Sequence, residues 1–192
     1  MLPVLNSCSH YTPKNTGDIC GIFQGETDWY ESAVDANKKW GTPVWVLMAI
    51  MNQESSFKRN ARPAREKFLW VIPLPRRSSA YGYSQAQDPA WSDYVRATGN
   101  RSADRDDFED AIDFIGWYTH ESQQQLGISK WDAYNQYLAY HEGRGGYRRG
   151  TWKNKDWLIG VANKVRDQSA RYNQQLQGCK KDLDAATDGW FF

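Results

Sequence analysis

The chain has 192 residues, with 24 Lys and Arg against 23 Asp and Glu and a net charge of +1. That length suits one domain with a substantial core, and the balanced charge excludes a global field that would recruit nucleic acid or an anionic membrane. No stretch reaches the ~20 apolar residues of a membrane span, so any membrane attachment would have to be through lipid.

Residues 1–27 are rich in Ser, Thr, Pro, Asn and Gly and read as a flexible leader that becomes ordered near Cys20. The spacing predicts a domain over 28–180 and a tail over 181–192. Its first helix carries Trp29, Ala33, Ala36 and Trp40 on one face and stops at Gly41. Thr42 then reads as the cap of a second helix with Pro43 at its first position.

That second helix carries Leu47, Ile50, Met51 and Glu54 at i, i+3, i+4 and i+7. A carboxylate closing an apolar stripe in the last turn of a helix is hard to ionise. Partial burial disfavours its charged form, and the negative end of the helix dipole repels it. An acid that keeps its proton near neutral pH can donate it to a leaving oxygen. The plainer alternative is a solvated glutamate at a frayed helix end.

Residues 57–80 hold seven Lys or Arg, three prolines and the apolar run Phe68-Leu69-Trp70-Val71-Ile72. They read as a long loop with a strand pair, and loops of that length in compact domains are often lids or binding walls. Asp88-Pro89 repeats the cap-then-proline start, for a helix ending at Gly99. Asp104 reads as the cap of a helix over 105–126 ended by Gly127. Ser129 reads as the cap of one ended by Gly143, with Trp131, Tyr134, Leu138 and His141 at helical spacing.

A glycine-rich basic turn over 143–150 leads to a last helix whose buried stripe reads Trp157, Leu158, Val161, Ala162, Val165, Tyr172 and Leu176. Six or seven helices with strand signal only in 57–80 predict a mainly α domain.

Ten Trp, eleven Tyr and seven Phe are a marked excess of aromatic residues, several beside polar or glycine-rich segments. Flat rings with a polar handle suit sugar faces, although most should pack in the core. Three cysteines make an odd count. Cys20 precedes the main helical run and Cys179 follows it, so a bridge would tie the chain ends together and point to an oxidising compartment; two buried thiols in a cytosolic protein are the alternative. Leu5-Asn6-Ser7-Cys8 resembles the end of a bacterial lipoprotein signal with its lipid-modified Cys8. Met1 to Ser7 is too short for a whole export signal, so the chain reads as starting part-way through one.

Three segments occur in order: Glu54-Ser55-Ser56-Phe57 at a helix end, Tyr81-Gly82-Tyr83-Ser84-Gln85 before a helix, and Ala139-Tyr140-His141-Glu142-Gly143 at the close of one. Together they resemble the lytic transglycosylases of the soluble-transglycosylase type, within the lysozyme superfamily, over about residues 28–177. The resemblance implies a single lysozyme-like helical domain with a long loop or small β insertion over 57–80. Glu54 is implied as catalytic acid and base, with Ser55 orienting it and Tyr81, Gly82, Tyr83, Ser84, Gln85, Tyr140 and Glu142 along the saccharide groove.

Gly82 and Gln85 match the second segment of that family, whereas Tyr83 and Ser84 stand where Leu and Met are usual. In the third segment His141 replaces Asn and Glu142 replaces Ala. The 31 positions from Glu54 to Gln85 appoint 57–80 as an insertion beside the groove, where Arg76 and Arg77 would meet acidic peptide stems.

A two-carboxylate hydrolase needs a second acid ~5–10 Å from the first. Glu66, Asp88, Asp93 and Glu142 are available, but none lies in a recognisable second motif, and Asp88 reads better as a cap. A one-carboxylate scheme is favoured, yielding a 1,6-anhydro sugar without water, metal or cofactor. His141 reads as a packing residue, and Glu142 remains open as a second acid. The resemblance further implies an exported protein of the periplasm with envelope partners, and Leu5-Asn6-Ser7-Cys8 implies a lipid anchor at Cys8 to the outer membrane. The competing readings are a muramidase that uses water and a non-catalytic peptidoglycan-binding protein.

Overall fold

A computed structural model describes residues 11–63, 67–68, 72–73 and 78–188. Cys8, Arg76 and Arg77 lie outside them, as do the side chains of 64–77. The described residues form seven α-helices: α1 Ile19–Gly25, α2 Thr27–Trp40, α3 Val44–Ser55, α4 Asp88–Thr98, α5 Phe108–Leu126, α6 Ala133–Arg149 and α7 Asp156–Asp188. Two short strands, β1 Lys67–Phe68 and β2 Ile72–Pro73, pair antiparallel within the loop after α3. The mainly α lysozyme-like expectation with a small β insertion therefore holds.

Helix α3 is the axis of the fold. Val46 through Met51 are all buried, so the expected stripe widens to a fully enclosed middle of the helix, packed against α2, α5, α6 and α7, while Gln53 near its end is exposed. Pro43 takes the cap position of this helix, one residue later than expected. The Thr42 hydroxyl instead meets the buried Thr119 hydroxyl of α5 at 2.7 Å.

Trp29 of α2 is the second organiser. It stacks on Phe108 at 4.1 Å and meets Tyr11, Tyr83 and Phe57 at centroid distances of 5.2, 5.6 and 6.0 Å.

Gly41, Gly99 and Gly127 end α2, α4 and α5 in the left-handed conformation, as the sequence predicts. The starts differ. Asp107, not Asp104, caps α5 by accepting from the Asp110 amide, and Asp132, not Ser129, caps α6 by accepting from Asn135. At α4 Gln87 holds the cap position, and Asp88 pairs with Arg105 at 2.8 Å. Gly143 does not end α6: it kinks the helix at φ 72°, ψ 153°, and 144–149 continue as helix rather than as a turn. Trp157, expected in the core, is 58% exposed, because its neighbour Leu158 takes the inward position on α7.

The packed body also reaches past the boundaries drawn at 28 and 180. Ile19, Ile22 and Phe23 of α1 are core residues, and Leu183 near the end of α7 is buried. Gln175 accepts from the Ile19 amide and donates to the Gly17 carbonyl, both at 3.1 Å, and Tyr172 donates to the Thr16 carbonyl. Cys20 and Cys179 are joined, Cα to Cα 6.0 Å, across a sequence separation of 159. Closing so long a loop removes about 5 kcal/mol of unfolded-chain entropy in the simple polymer account. Replacing both cysteines by serine is expected to lower unfolding stability by roughly 3–5 kcal/mol in a denaturant titration, and reductant should lower the parent alike while leaving the double variant unmoved.

Candidate active site

Glu54 is the penultimate residue of α3. Its side chain is partly accessible yet enclosed by α6. Desolvation raises its pKa from 4.5 to about 7, opposed by the Tyr137 hydroxyl beside the carboxyl. Glu54 in turn raises the already desolvated Tyr137 and Tyr140 phenols, so both stay protonated donors.

The chain leaves Glu54 through an unusual turn. Ser56 and Phe57 have φ values of 51° and 58°, and the only other non-glycine residue with positive φ among the described residues is Gln85, at 52°. Consecutive left-handed residues cost of order 1–3 kcal/mol each and persist where packing over-determines them. Here the turn delivers Phe57 to full burial beside Trp29. All three strained positions fall in two of the sequence segments singled out for chemistry.

The second segment is a tight backbone loop. Tyr81 and Ala86 form a bridge, and Gly82 at φ 75° presses so closely on Arg105 that a Cβ would come within 1.9 Å of its carbonyl oxygen. The Gln85 amide donates to the carbonyls of Ala61 and Gly82 at 2.9 and 2.8 Å. Tyr81 donates to Asp106 at 3.0 Å, with the Arg62 guanidinium 3.9 Å over its ring. The third segment then joins the second: the Tyr140 hydroxyl donates to the Ser84 carbonyl at 2.7 Å. The Glu54 carboxyl of the first segment faces Tyr137, just before the third, and acts electrostatically on Tyr140 within it.

The named residues divide by role. Tyr140 and Gln85 line one cavity, and Glu54 acts electrostatically on Tyr140. Tyr83 does not face a groove; it is 4% exposed and packs on Trp29 and Phe108. Ser84 is fully buried. Ser55 does not touch the Glu54 carboxyl, because its hydroxyl donates to the Met51 carbonyl one turn back. Glu142 is held by the Lys155 ammonium at 2.7 and 2.9 Å and by the Thr151 hydroxyl. Desolvation pushes its pKa up, but these bonds outweigh it and leave the carboxyl below the usual range.

A cavity of about 250 Å3 lies between the second and third segments, with Phe114, Tyr118 and Tyr140 as aromatic lining and Gln85, His141 and Glu142 as polar lining. A larger hollow, about 810 Å3, lies between α2 and the end of α7, away from these groups. Tyr137 escaped the sequence reading, although it stands three residues before Tyr140 on α6 and so shares its face.

A family model described as Transglycosylase SLT domain matches residues 1–179. The chain belongs to this family. As an SLT-domain protein it is a lytic transglycosylase acting on peptidoglycan glycan strands, within the lysozyme-like superfamily. No curated protein matches the chain.

Two outcomes follow for this SLT site. Because the folded Glu54 carboxyl holds its proton to higher pH than the unfolded one, its burial costs nothing below pH 4.5; the cost grows between 4.5 and about 7 and stays constant above. Glu54→Gln should therefore raise stability by about 3 kcal/mol at pH 8 and leave it unchanged at pH 4, measured by chemical unfolding at both values. Gly82→Ala should cost roughly 2–3 kcal/mol in the same measurement, since both its φ and the Arg105 contact resist a side chain.

Proposed function

We propose that this transglycosylase cleaves the β-1,4 bond between N-acetylmuramic acid and N-acetylglucosamine with Glu54 as its single acid and base. The supporting observation is the contrast between two carboxyls: Glu54 is desolvated with a pKa near 7, while Glu142 is an anion engaged by Lys155 and Thr151. Environments that push two acids apart assign their roles. The proton donor is Glu54, and the Glu142 oxygens are engaged by Lys155 and Thr151.

The reaction balances without a co-reactant. Protonated Glu54 gives its proton to the glycosidic oxygen as the bond to the anomeric carbon breaks, releasing the N-acetylglucosamine end with a free hydroxyl. The carboxylate left behind takes the proton of the muramoyl 6-hydroxyl as that oxygen closes on the anomeric carbon. The product carries a 1,6-anhydro ring, and Glu54 is again protonated. Tyr137, held as a donor beside the carboxyl, steadies its charged phase. Gln85 and Tyr140 place the sugar, and residues 57–80 with Arg76 and Arg77 meet the acidic peptide stems.

The Cys20–Cys179 bridge supports export to an oxidising compartment, the periplasm. Lipid attachment at Cys8 to the outer membrane and association with envelope partners complete the reading, on sequence grounds alone.

Digestion of purified sacculi with mass analysis of the fragments should give anhydro ends, one water lighter than hydrolysed ends; reducing ends would identify a muramidase. Glu54→Gln should reduce turnover on the order of a thousandfold with strand binding retained. In the parent, kcat/KM should fall as pH rises through about 7, because only the protonated acid starts the reaction. A protein that binds strands and turns over none under any condition is a binding protein.

A further inference from the structure

Two large apolar side chains stand out from the described surface: Trp131 at 68% exposure and Trp157 at 58%. Their settings differ. Trp131 lies before α6 and meets Trp45 at the first turn of α3, at 5.4 Å, which is the opposite end of α3 from Glu54. Trp157 is reached from the active site by two ring contacts. Tyr137, beside Glu54, meets His141 at 6.3 Å, and His141 meets the Trp157 indole edge-on at 5.2 Å. His141 also lines the 250 Å3 cavity that holds Gln85 and Tyr140. Trp157 thus stands against a residue of that cavity's wall.

The indole is presented by a rigid mount. Leu158, the next residue, is fully buried, and its amide bonds the Lys155 carbonyl at 2.8 Å. Lys155 is the residue whose ammonium grips Glu142 on the kinked part of α6. The ion pair therefore clamps the start of α7 to the helix carrying Tyr137, Tyr140 and His141. An exposed aromatic on a fixed turn offers contact area without the entropy cost of ordering a mobile chain, and its N–H supplies a polar tip.

We propose that Trp157, with His141 at its edge, is a saccharide platform that holds the glycan strand beyond the cleaved bond, and that Glu142–Lys155 positions it. The proposal rests on the transglycosylase reading above for its ligand class, and it gives the second carboxyl a role outside the chemistry. The ring steps from Glu54 place the platform within reach of a strand already seated at the acid. It therefore contributes to long strands and not to the shortest cleavable ones.

The probe is a set of peptide-free N-acetylglucosamine–N-acetylmuramic acid strands of defined length. Binding is measured in a Glu54→Gln background, so that chemistry does not enter. Adding Trp157→Ala should weaken binding of long strands about five- to tenfold and leave the shortest unaffected, Trp157→Phe should restore most of the loss, and Trp131→Ala should change nothing. With Glu54 present, Trp157→Ala should raise KM on long strands and hold kcat. Lys155→Met, folded by its melting curve, should share the KM effect.

Long-strand binding by Trp157→Ala equal to the parent's, or a loss independent of strand length, overturns the platform. Failure of the anhydro assay leaves this binding test standing, so the two readings fail separately.

Discussion

One enclosed helix with an ionisable group at its end sets the terms for everything else. Helix α3 is surrounded by α2, α5, α6 and α7, and six consecutive residues, Val46 to Met51, lie wholly inside. A helix whose middle is packed on every side cannot be shifted to suit a side chain at its end, so Glu54 takes the environment that Tyr137 and Tyr140 of α6 provide. That environment is two phenols and little water. The carboxyl is consequently half-protonated near pH 7, and the stability given up by burying it becomes the capacity to donate. The strained turn at Ser56 and Phe57 belongs to the same arrangement: it ends α3 abruptly after the acid and recovers part of its cost by seating Phe57 against Trp29.

The second and third segments act largely through their backbones. Gly82 is required by a carbonyl, not by a substrate. Gln85 spends its amide on Ala61 and Gly82, and Tyr140 spends its hydroxyl on Ser84. These bonds lock loop to helix with Tyr140 lining the cavity. A motif can thus be specific in sequence because it specifies a frame, while only a few of its side chains face the groove.

Legibility in the sequence follows the range of the interaction. Glycines that need left-handed backbone, Gly41, Gly99 and Gly127, signal helix ends from local sterics alone, and they were readable. Helix starts were less so: around α5 the chain offers Asp104, Asp106 and Asp107, any of which can cap, and only tertiary packing selects Asp107. Gly143 bears the same local signal as the other glycines but kinks α6, because the residues after it still pack against the short 3-10 turn Thr151–Asn154 and α7, contacts that the local sequence does not encode. α1 was hidden by its shortness and its polar flanks; its place depends on Gln175 and Cys179, more than 150 residues away. Glu54 was legible because burial and helix position both follow from its own helix, whereas Tyr137 was visible only once α6 was laid against α3.

Trp157 and Glu142 show how one placement error hides another. Read by spacing, Trp157 and Leu158 both seemed to belong to the apolar stripe of α7, but adjacent residues on a helix point about 100° apart and cannot share one face. Leu158 wins the interior because it fits an enclosed site without a polar atom to satisfy, and the indole is turned out with its N–H free for solvent. Glu142, read alone, was a spare acid near a groove. Its partner Lys155 lies just before α7, at the very turn that turns Trp157 outward. A carboxylate held at 2.7 Å by an ammonium is stabilised as an anion and is a poor proton donor at neutral pH. The same contact that holds Glu142 as an anion therefore ties the start of α7, and with it Trp157, to the kinked part of α6.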